Sequence, residues 1–235
     1  MDDAKMLQVS RSEVKYLLSA EAAMSLQMEL DRLLQRDAYS QMGSYCVRSL
    51  YFDSLYDTDF RDKYAGYEKR KKIRLRIYHT GAESGKLEIK EKNGNYSRKR
   101  SILLSRAEMM SAADGAYEFL LDHSSDLSVE LYSLLACGGY RPKSIIEYQR
   151  LAFLFPENHT RITLDSQVRC SEMDLHLFHE DLPWVPVLTE QVILEVKFDG
   201  QLVRVISDIL KKYTLTQVSV SKYALGRPIS AGYIF

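Results

Sequence analysis

The 235-residue chain is poor in the residues that build several common functional sites. Its three cysteines, Cys46, Cys137 and Cys170, lie far apart and in no CxxC pair, which argues against a disulfide framework and a structural zinc site and favours a reducing compartment. Glycine and proline are sparse enough that no low-complexity linker is visible and no internal repeat emerges, so a single domain over residues 1–235 is expected. No run of about 18 apolar residues is present, and the opening "MDDAKMLQVSRSE" has neither a positive n-region nor an apolar h-region. A soluble, cytoplasmic protein with no membrane segment is the expectation. Excess charge is missing too: Lys+Arg and Asp+Glu are both 32, so no overall attraction to nucleic acid or membrane is expected and any basic site must be local. No Walker A sequence and no Ser-His-Asp set is evident.

What the chain does have is 46% hydrophobic residues, enough for a core, arranged largely with a period of two. In "KIRLRIYHT" Ile73, Leu75 and Ile77 alternate with Lys72, Arg74, Arg76 and Tyr78, an oily face opposite a basic one. The same alternation sets Arg11, Glu13 and Lys15 on one face, Glu88, Lys90 and Lys92 against Leu87 and Ile89, Arg161, Thr163 and Asp165 against Ile162 and Leu164, and Glu195 and Lys197 against Leu194 and Val196. Strands are predicted at about 8–17, 44–53, 70–79, 85–93, 96–104, 143–154, 160–168 and 189–198. Asn93-Gly94 marks a hairpin between the fourth and fifth. Segment six is irregular, because Glu147 falls in phase with Ile145 and Leu151, which points to a bulge or a shifted phase. Helical spacing recurs at Leu26, Leu30, Leu33 and Leu34, at Leu127, Leu131, Leu134 and Leu135, and at Leu202, Val205, Ile206, Ile209 and Leu210. Shorter helices are expected in 55–68 and 105–121.

Many strands, a few helices and no regular βαβ alternation predict an α+β fold with a mostly antiparallel sheet. Any one of these strands fits an open sheet with its charged face in water. Taken together they also fit an eight-stranded antiparallel β-barrel, its charged faces lining a lumen and helices packed on the outside.

The words "RSEVKY", "SLYFDS" followed by "YDTDF", "KIRLRIY", "LEIKEK", "RKR", "EYQRLAF", "RITLD", "ILEVKFDG" and "SKY", in that order over residues 11 to 223, resemble the VTC domain. That domain is the polyphosphate polymerase of the vacuolar transporter chaperone complex, and the likeness is to its small soluble bacterial form. The family belongs to the triphosphate tunnel metalloenzymes, or CYTH-like superfamily. The resemblance implies an eight-stranded tunnel that binds a tri- or polyphosphate through basic side chains and a divalent metal, Mn²⁺ or Mg²⁺, through acidic ones. Carried over residue by residue, the phosphate ligands fall on Lys15, Arg74, Arg76, Lys90, Lys99, Arg150, Arg161 and Lys222. The metal-binding glutamate falls on Glu195, and Lys197, which shares its strand face, joins the phosphate set. Arg74, Arg76, Lys90 and Glu195 are the residues on which catalysis would rest. Two departures stand out. The superfamily's Glu-x-Glu-x-Lys signature is here Arg11, Glu13 and Lys15, and Ser219 occupies a position that is lysine in the eukaryotic polymerases.

The implied activity is transfer of the γ-phosphate of ATP to a polyphosphate chain. An inorganic or nucleoside triphosphatase shares the same cradle, and a module that binds polyphosphate or inositol polyphosphates without turnover is the alternative outside enzymes. Glu88, Asp53 and Asp165 are possible helpers of Glu195. Two other features read as ordinary surface. "HLFH" puts His176 and His179 at a metal-like spacing, but no nearby cysteine or third histidine completes a site, so a loop or surface pair is expected. "KYAGYEKRKK" reads as a helix end feeding the basic strand, with Lys69, Arg70 and Lys71 in solvent or at a tunnel mouth.

Overall fold

Alternation builds a strand at every one of the eight predicted segments. The computed structural model describes residues 11–94, 96–227 and 232, so residues 8–10 of the first predicted strand lie outside the described residues. In chain order the strands are Arg11–Ser19 (β1), Gln35–Arg36 (β2), Tyr45–Asp53 (β3), Arg70–Ile77 (β4), Ser84–Asn93 (β5), Tyr96–Ser105 (β6), Arg141–Phe155 (β7), Thr160–Ser171 (β8), Val185–Leu188 (β9) and Gln191–Asp199 (β10). The helices are Ala20–Leu33 (α1), Thr58–Tyr64 (α2), Arg106–Ala113 (α3), Asp126–Tyr132 (α4), Arg204–Leu210 (α5) and Lys222–Leu225 (α6). β2 and β9, which were not predicted, are too short for an alternating pattern to register.

The strand order is β1-β10-β8-β7-β3-β4-β5-β6, with β2 beside β7 and β9 beside β8. The closed eight-stranded barrel expected from the sequence is not what the sheet shows. Among the described residues it has ten strands, and no ladder joins β6 to β1. The first residues of β6, Tyr96 to Lys99, are exposed and carry Arg98 and Lys99, a charged edge of the kind that discourages further strand pairing. The predicted hairpin is present: β5 and β6 pair from Ser84–Ser105 up to Asn93–Tyr96, and Gly94 takes φ +57°, the left-handed conformation such a turn demands.

Two compact units divide the chain. Unit 1 comprises Met1–Tyr45, Gln149–Ser166 and Leu188–Val220, and unit 2 comprises Cys46–Tyr148, Gln167–Val187 and Ser221–Phe235. In unit 1 the oily sides of β1, β8 and β10 pack against α1 and α5, with Leu18, Ile162, Leu164, Leu194 and Val196 meeting Leu26, Leu30, Ile206 and Ile209. Each fully buried leucine contributes about 2–3 kcal/mol to such a core. α1 begins where the Ser19 hydroxyl accepts from Ala22 N–H at 3.2 Å. It ends one residue before Leu34, which turns extended, and that leaves Leu33 exposed rather than on the packed stripe.

In unit 2 the oily sides of β3, β4 and β5 pack against α3 and the 118–137 region, with Leu50, Phe52, Ile73, Leu75, Leu87 and Ile89 meeting Met109, Leu120, Leu131 and Leu135. Ser105 and Glu108 close a reciprocal capping box on α3. The close approach of β5 to β4 and α3 requires Gly85, where a Cβ would lie 2.5 Å from Met109 Sδ and 2.7 Å from the Arg76 carbonyl. Glu147 lies in phase with core residues, as its position suggested, and the structure supplies the reason. Arg48 sits on the same side, its Nε donating to Glu147 Oε2 at 2.6 Å, and Arg169 pairs with Oε1. Arg48 and Glu147 are buried while Arg169 is exposed, and Trp184 lies 5.1 and 4.4 Å from the two guanidiniums.

Candidate functional site

The side of β4, β5 and β6 away from the unit 2 core is basic, and the register shows how strongly. Lys72, Lys90 and Lys99 stand opposite one another on three neighbouring strands. Directly opposed like charges destabilise a sheet unless something compensates them. One register step along, Tyr51, Arg74, Glu88 and Ser101 form the adjacent row, and Ser49, Arg76 and Lys86 the next.

Glu88, buried at 2% exposure, is held by three cations: Arg74 Nε at 2.7 Å, Lys99 Nζ at 2.5 Å and Arg76 Nη1 at 3.9 Å. Burial works against its charge, yet Arg74, Arg76 and Lys99 together bring its pKa down to about 2. Lys99 moves the opposite way from what its partner alone would give. Burial lowers it, Arg74 and Arg76 add to that, and Glu88 only partly offsets them. The two shifts together describe a cluster with more positive charge than one carboxylate can neutralise.

The C-terminal "SKY" word closes this face. Ser221 caps α6, and its hydroxyl also accepts from Lys72 Nζ at 2.6 Å. Lys222 Nζ lies 4.6 Å from the centroid of the Tyr148 ring. Tyr223 stacks on Tyr51 at 5.1 Å and donates to Asp53 at 2.5 Å, while Arg74 Nη1 donates to the Tyr51 hydroxyl at 3.1 Å. Asp53 also accepts from the backbone N–H groups of Asp59 and Phe60, so "SLYFDS", "YDTDF" and "SKY" are one connected structure.

Unit 1 carries the second group. Lys15 lies opposite Glu195 across the β1–β10 ladder, and Glu195 lies opposite Thr163 on β8. Lys15 Nζ is 3.1 Å from Glu13 and 3.2 Å from Glu195, and Lys197 Nζ is 2.6 Å from the other Glu195 oxygen. Burial opposes the Lys15 charge, but Glu195 and Glu13 hold its pKa above the ordinary value. Arg150 grips Asp165 through a two-pronged pair at 2.6 and 2.7 Å, and Arg161 reaches Asp37 at 2.6 Å and the Tyr45 hydroxyl at 3.3 Å.

A hard divalent cation fits this donor set on two counts. Glu195 and Glu13 are oxygen donors bridged by one ammonium, and the buried Thr163 hydroxyl opposite Glu195 has no partner. The suggested helpers have partners of their own, as Glu195 has Lys15 and Lys197: Asp53 accepts from backbone N–H groups in the first turn of α2, Asp165 pairs with Arg150, and Glu88 with its three cations.

Sequence reasoning missed Asp37, Ser49, Ser221 and Tyr223, polar partners whose roles depend on contacts distant in the chain. It also put Lys71 in solvent or at a tunnel mouth. Lys71 instead shares the core side of β4, with Nζ 3.3 Å from the buried Asp59 and 5.5 Å from the Tyr140 ring. A cavity of about 590 Å³ opens on that side, lined by Glu91, Asp126 and Glu130 as well as Lys71. Its excess of carboxylates unsuits it to a polyanion. No helix among the described residues is long and apolar enough to cross a membrane.

Comparison with solved structures finds the same fold in two crystal structures of proteins provisionally named adenylate cyclases. One, from Bacillus halodurans, is 14% identical with a TM-score of 0.53, over 90% of this chain and 95% of that one. The other, from Vibrio parahaemolyticus, is 12% identical with a TM-score of 0.51, over 92% and 97%. Curated proteins give no match. The VTC domain family model matches residues 10–230, with the motif-bearing strands and the opposed lysines all inside that span, and the chain belongs to the VTC domain family.

Proposed function

We propose that the chain is a metal-dependent polyphosphate polymerase that moves the γ-phosphoryl group of ATP onto the end of a polyphosphate chain. The observation that carries this reading is the row Lys72, Lys90 and Lys99, flanked by Arg74 and Arg76 with Glu88 between them. Crowded cations of this kind are favourable when an anion with several charges lies against them. In this reading Arg74, Arg76, Lys90, Lys99 and Lys222 bind phosphate oxygens in unit 2, and Lys15, Arg150, Arg161 and Lys197 do so in unit 1. A terminal phosphate oxygen of the acceptor attacks the γ-phosphorus in line, the bond to the β–γ bridging oxygen breaks, and ADP leaves with that electron pair. The nucleophile is already anionic, so no general base is needed. Guanidinium forks and ammonium groups position the two phosphates against their mutual repulsion and stabilise the transferred group. Glu195, with Glu13 and Thr163 beside it, would hold Mn²⁺ or Mg²⁺, which when bound neutralises charge on the nonbridging oxygens.

The test is incubation of the purified protein with ATP and Mn²⁺ or Mg²⁺, with long chains resolved from free phosphate on a gel. Chain growth supports the proposal. Release of phosphate alone makes the protein a triphosphatase, and tight triphosphate binding without turnover makes it a binding module. Glu195→Gln should keep the fold and much of the phosphate binding but lose metal-dependent transfer. Full turnover in that variant would remove Glu195 from the catalytic set.

A further inference from the structure

We propose that Asp174, His176 and His179 form a binding site for a borderline divalent transition metal of the zinc class, separate in chemistry from the oxygen-only set around Glu195. In the sequence the two histidines lack a third ligand, and the structure supplies one. Asp174 Oδ1 lies 2.7 Å from His176 Nδ1, and Asp174 Oδ2 lies 3.5 Å from His179 Nδ1. The imidazoles are stacked, 4.6 Å between centroids and 14° between planes, so both present Nδ1 to the same carboxylate. One donor atom from each of the three residues lies within 4.8 Å of the other two. Donors about 2.0–2.1 Å from a tetrahedral zinc are about 3.4 Å apart, so small side-chain torsions suffice to close the site.

The backbone that carries these residues is anchored from the unit 2 core. Arg48 Nη1 donates to the carbonyls of Leu177 at 3.0 Å and His179 at 2.5 Å, while its Nε is fixed by Glu147. The Ser171 hydroxyl donates to the Asp174 carbonyl at 2.7 Å. Thus both ends of the Asp174–His179 stretch are tied down, which lowers the ordering cost of capturing an ion. The side chains themselves are accessible, with His176 and His179 at 69% and 59% exposure. Two imidazoles and one carboxylate select Zn²⁺, Co²⁺, Ni²⁺ or Cu²⁺ over Mg²⁺ or Ca²⁺, and three protein ligands leave a fourth position for water or another small ligand.

The inference is tested on the full chain after removal of metal with EDTA and dialysis, titrated with Co²⁺ and followed by its visible ligand-field bands. One equivalent should bind, be displaced by Zn²⁺ and resist excess Mg²⁺. His176→Ala and His179→Ala should each weaken binding by more than the roughly 10–100-fold that loss of even an outer-shell partner costs. Asp174→Asn should weaken it too, with circular dichroism and melting temperature unchanged in all three. Glu195→Gln should leave the Co²⁺ signal intact. Absence of saturable Co²⁺ binding, survival of the bands in either histidine variant, or their loss on replacing the exposed Cys137 by Ser would overturn the assignment.

Discussion

Replacing Glu88 by Gln should pull stability and ligand affinity in opposite directions. Glu88 is buried among Arg74, Arg76 and Lys99, and its pKa lies at about 2 against an ordinary 4.5. That difference corresponds to roughly 3 kcal/mol of folding stability at neutral pH, in line with the roughly 3–5 kcal/mol cost of removing one partner of a buried pair. For a chain of this size the ligand-free variant should therefore melt about 6–12 °C lower. The sign with pH follows from the depressed value. Glu88 contributes fully above pH 4.5 and its contribution is lost as pH falls towards 2, so wild type and variant should converge over that window. Binding moves the other way, because the variant offers the same cations to an incoming phosphate without their internal counter-charge. Two charges about 6 Å apart at an effective dielectric of about 20 interact by roughly 3 kcal/mol before salt screening, so triphosphate should bind about tenfold more tightly or better. Scanning fluorimetry with and without triphosphate, and calorimetric titration at low and high salt, read both effects. A variant that melts with the wild type, or binds triphosphate no better, would show that the cluster is not an anion site held by one carboxylate.

Lys99→Ala should lower triphosphate affinity by about tenfold with little change in the melting temperature of the ligand-free protein, since its side chain is half exposed, and added salt should shrink the difference; equal affinity would remove Lys99 from the phosphate set. Asp59→Asn should stabilise the protein at pH 7 by on the order of 1–3 kcal/mol. Burial and then Asp53 raise the Asp59 carboxyl from 3.8 to about 6 against the pull of Lys71, so stability is lost as pH rises between those values, and urea melts at pH 3.5 should show no difference. A loss of stability at pH 7 would refute this. Gly85→Ala should cost about 1–3 kcal/mol, because the new methyl meets the Arg76 carbonyl as well as a movable Met109 side chain. An unchanged urea midpoint would mean that β4 and β5 are looser than their spacing indicates.

Local periodicity made most of the architecture readable. The eight longer strands, the Asn93–Gly94 turn and the covering helices each follow from spacing within a dozen residues. Glu147 shows how a departure from the pattern also carried information, since its odd phase marks a buried carboxylate paired with Arg48 and Arg169. The sequence was silent where meaning lies in distant pairing. Nothing local to Ser221 says that it will accept from Lys72, and nothing in "HLFH" says that the carboxylate two residues before it will face both rings. Closure of the sheet was likewise beyond it. Alternation specifies which face of a strand is polar, but edge pairing depends on twist, strand length and edge charge together.

The buried charges themselves separate structural roles from the proposed functional one. Arg227 is met by two acidic side chains, Asp57 at 2.9 Å and Glu172 at 3.1 Å. Arg48 and Arg169 share Glu147, and Arg48 Nη1 donates to two backbone carbonyls. The buried guanidiniums of Arg227 and Arg48 thus meet acidic partners that the protein supplies, as a buried charge requires. Around Glu88 three cations converge on one carboxylate, and the next row of the sheet sets three lysines side by side. In the proposed reading this face receives a polyanion with several phosphoryl groups, and Glu88, the carboxylate that already engages its cations, is the residue whose removal should tighten that binding.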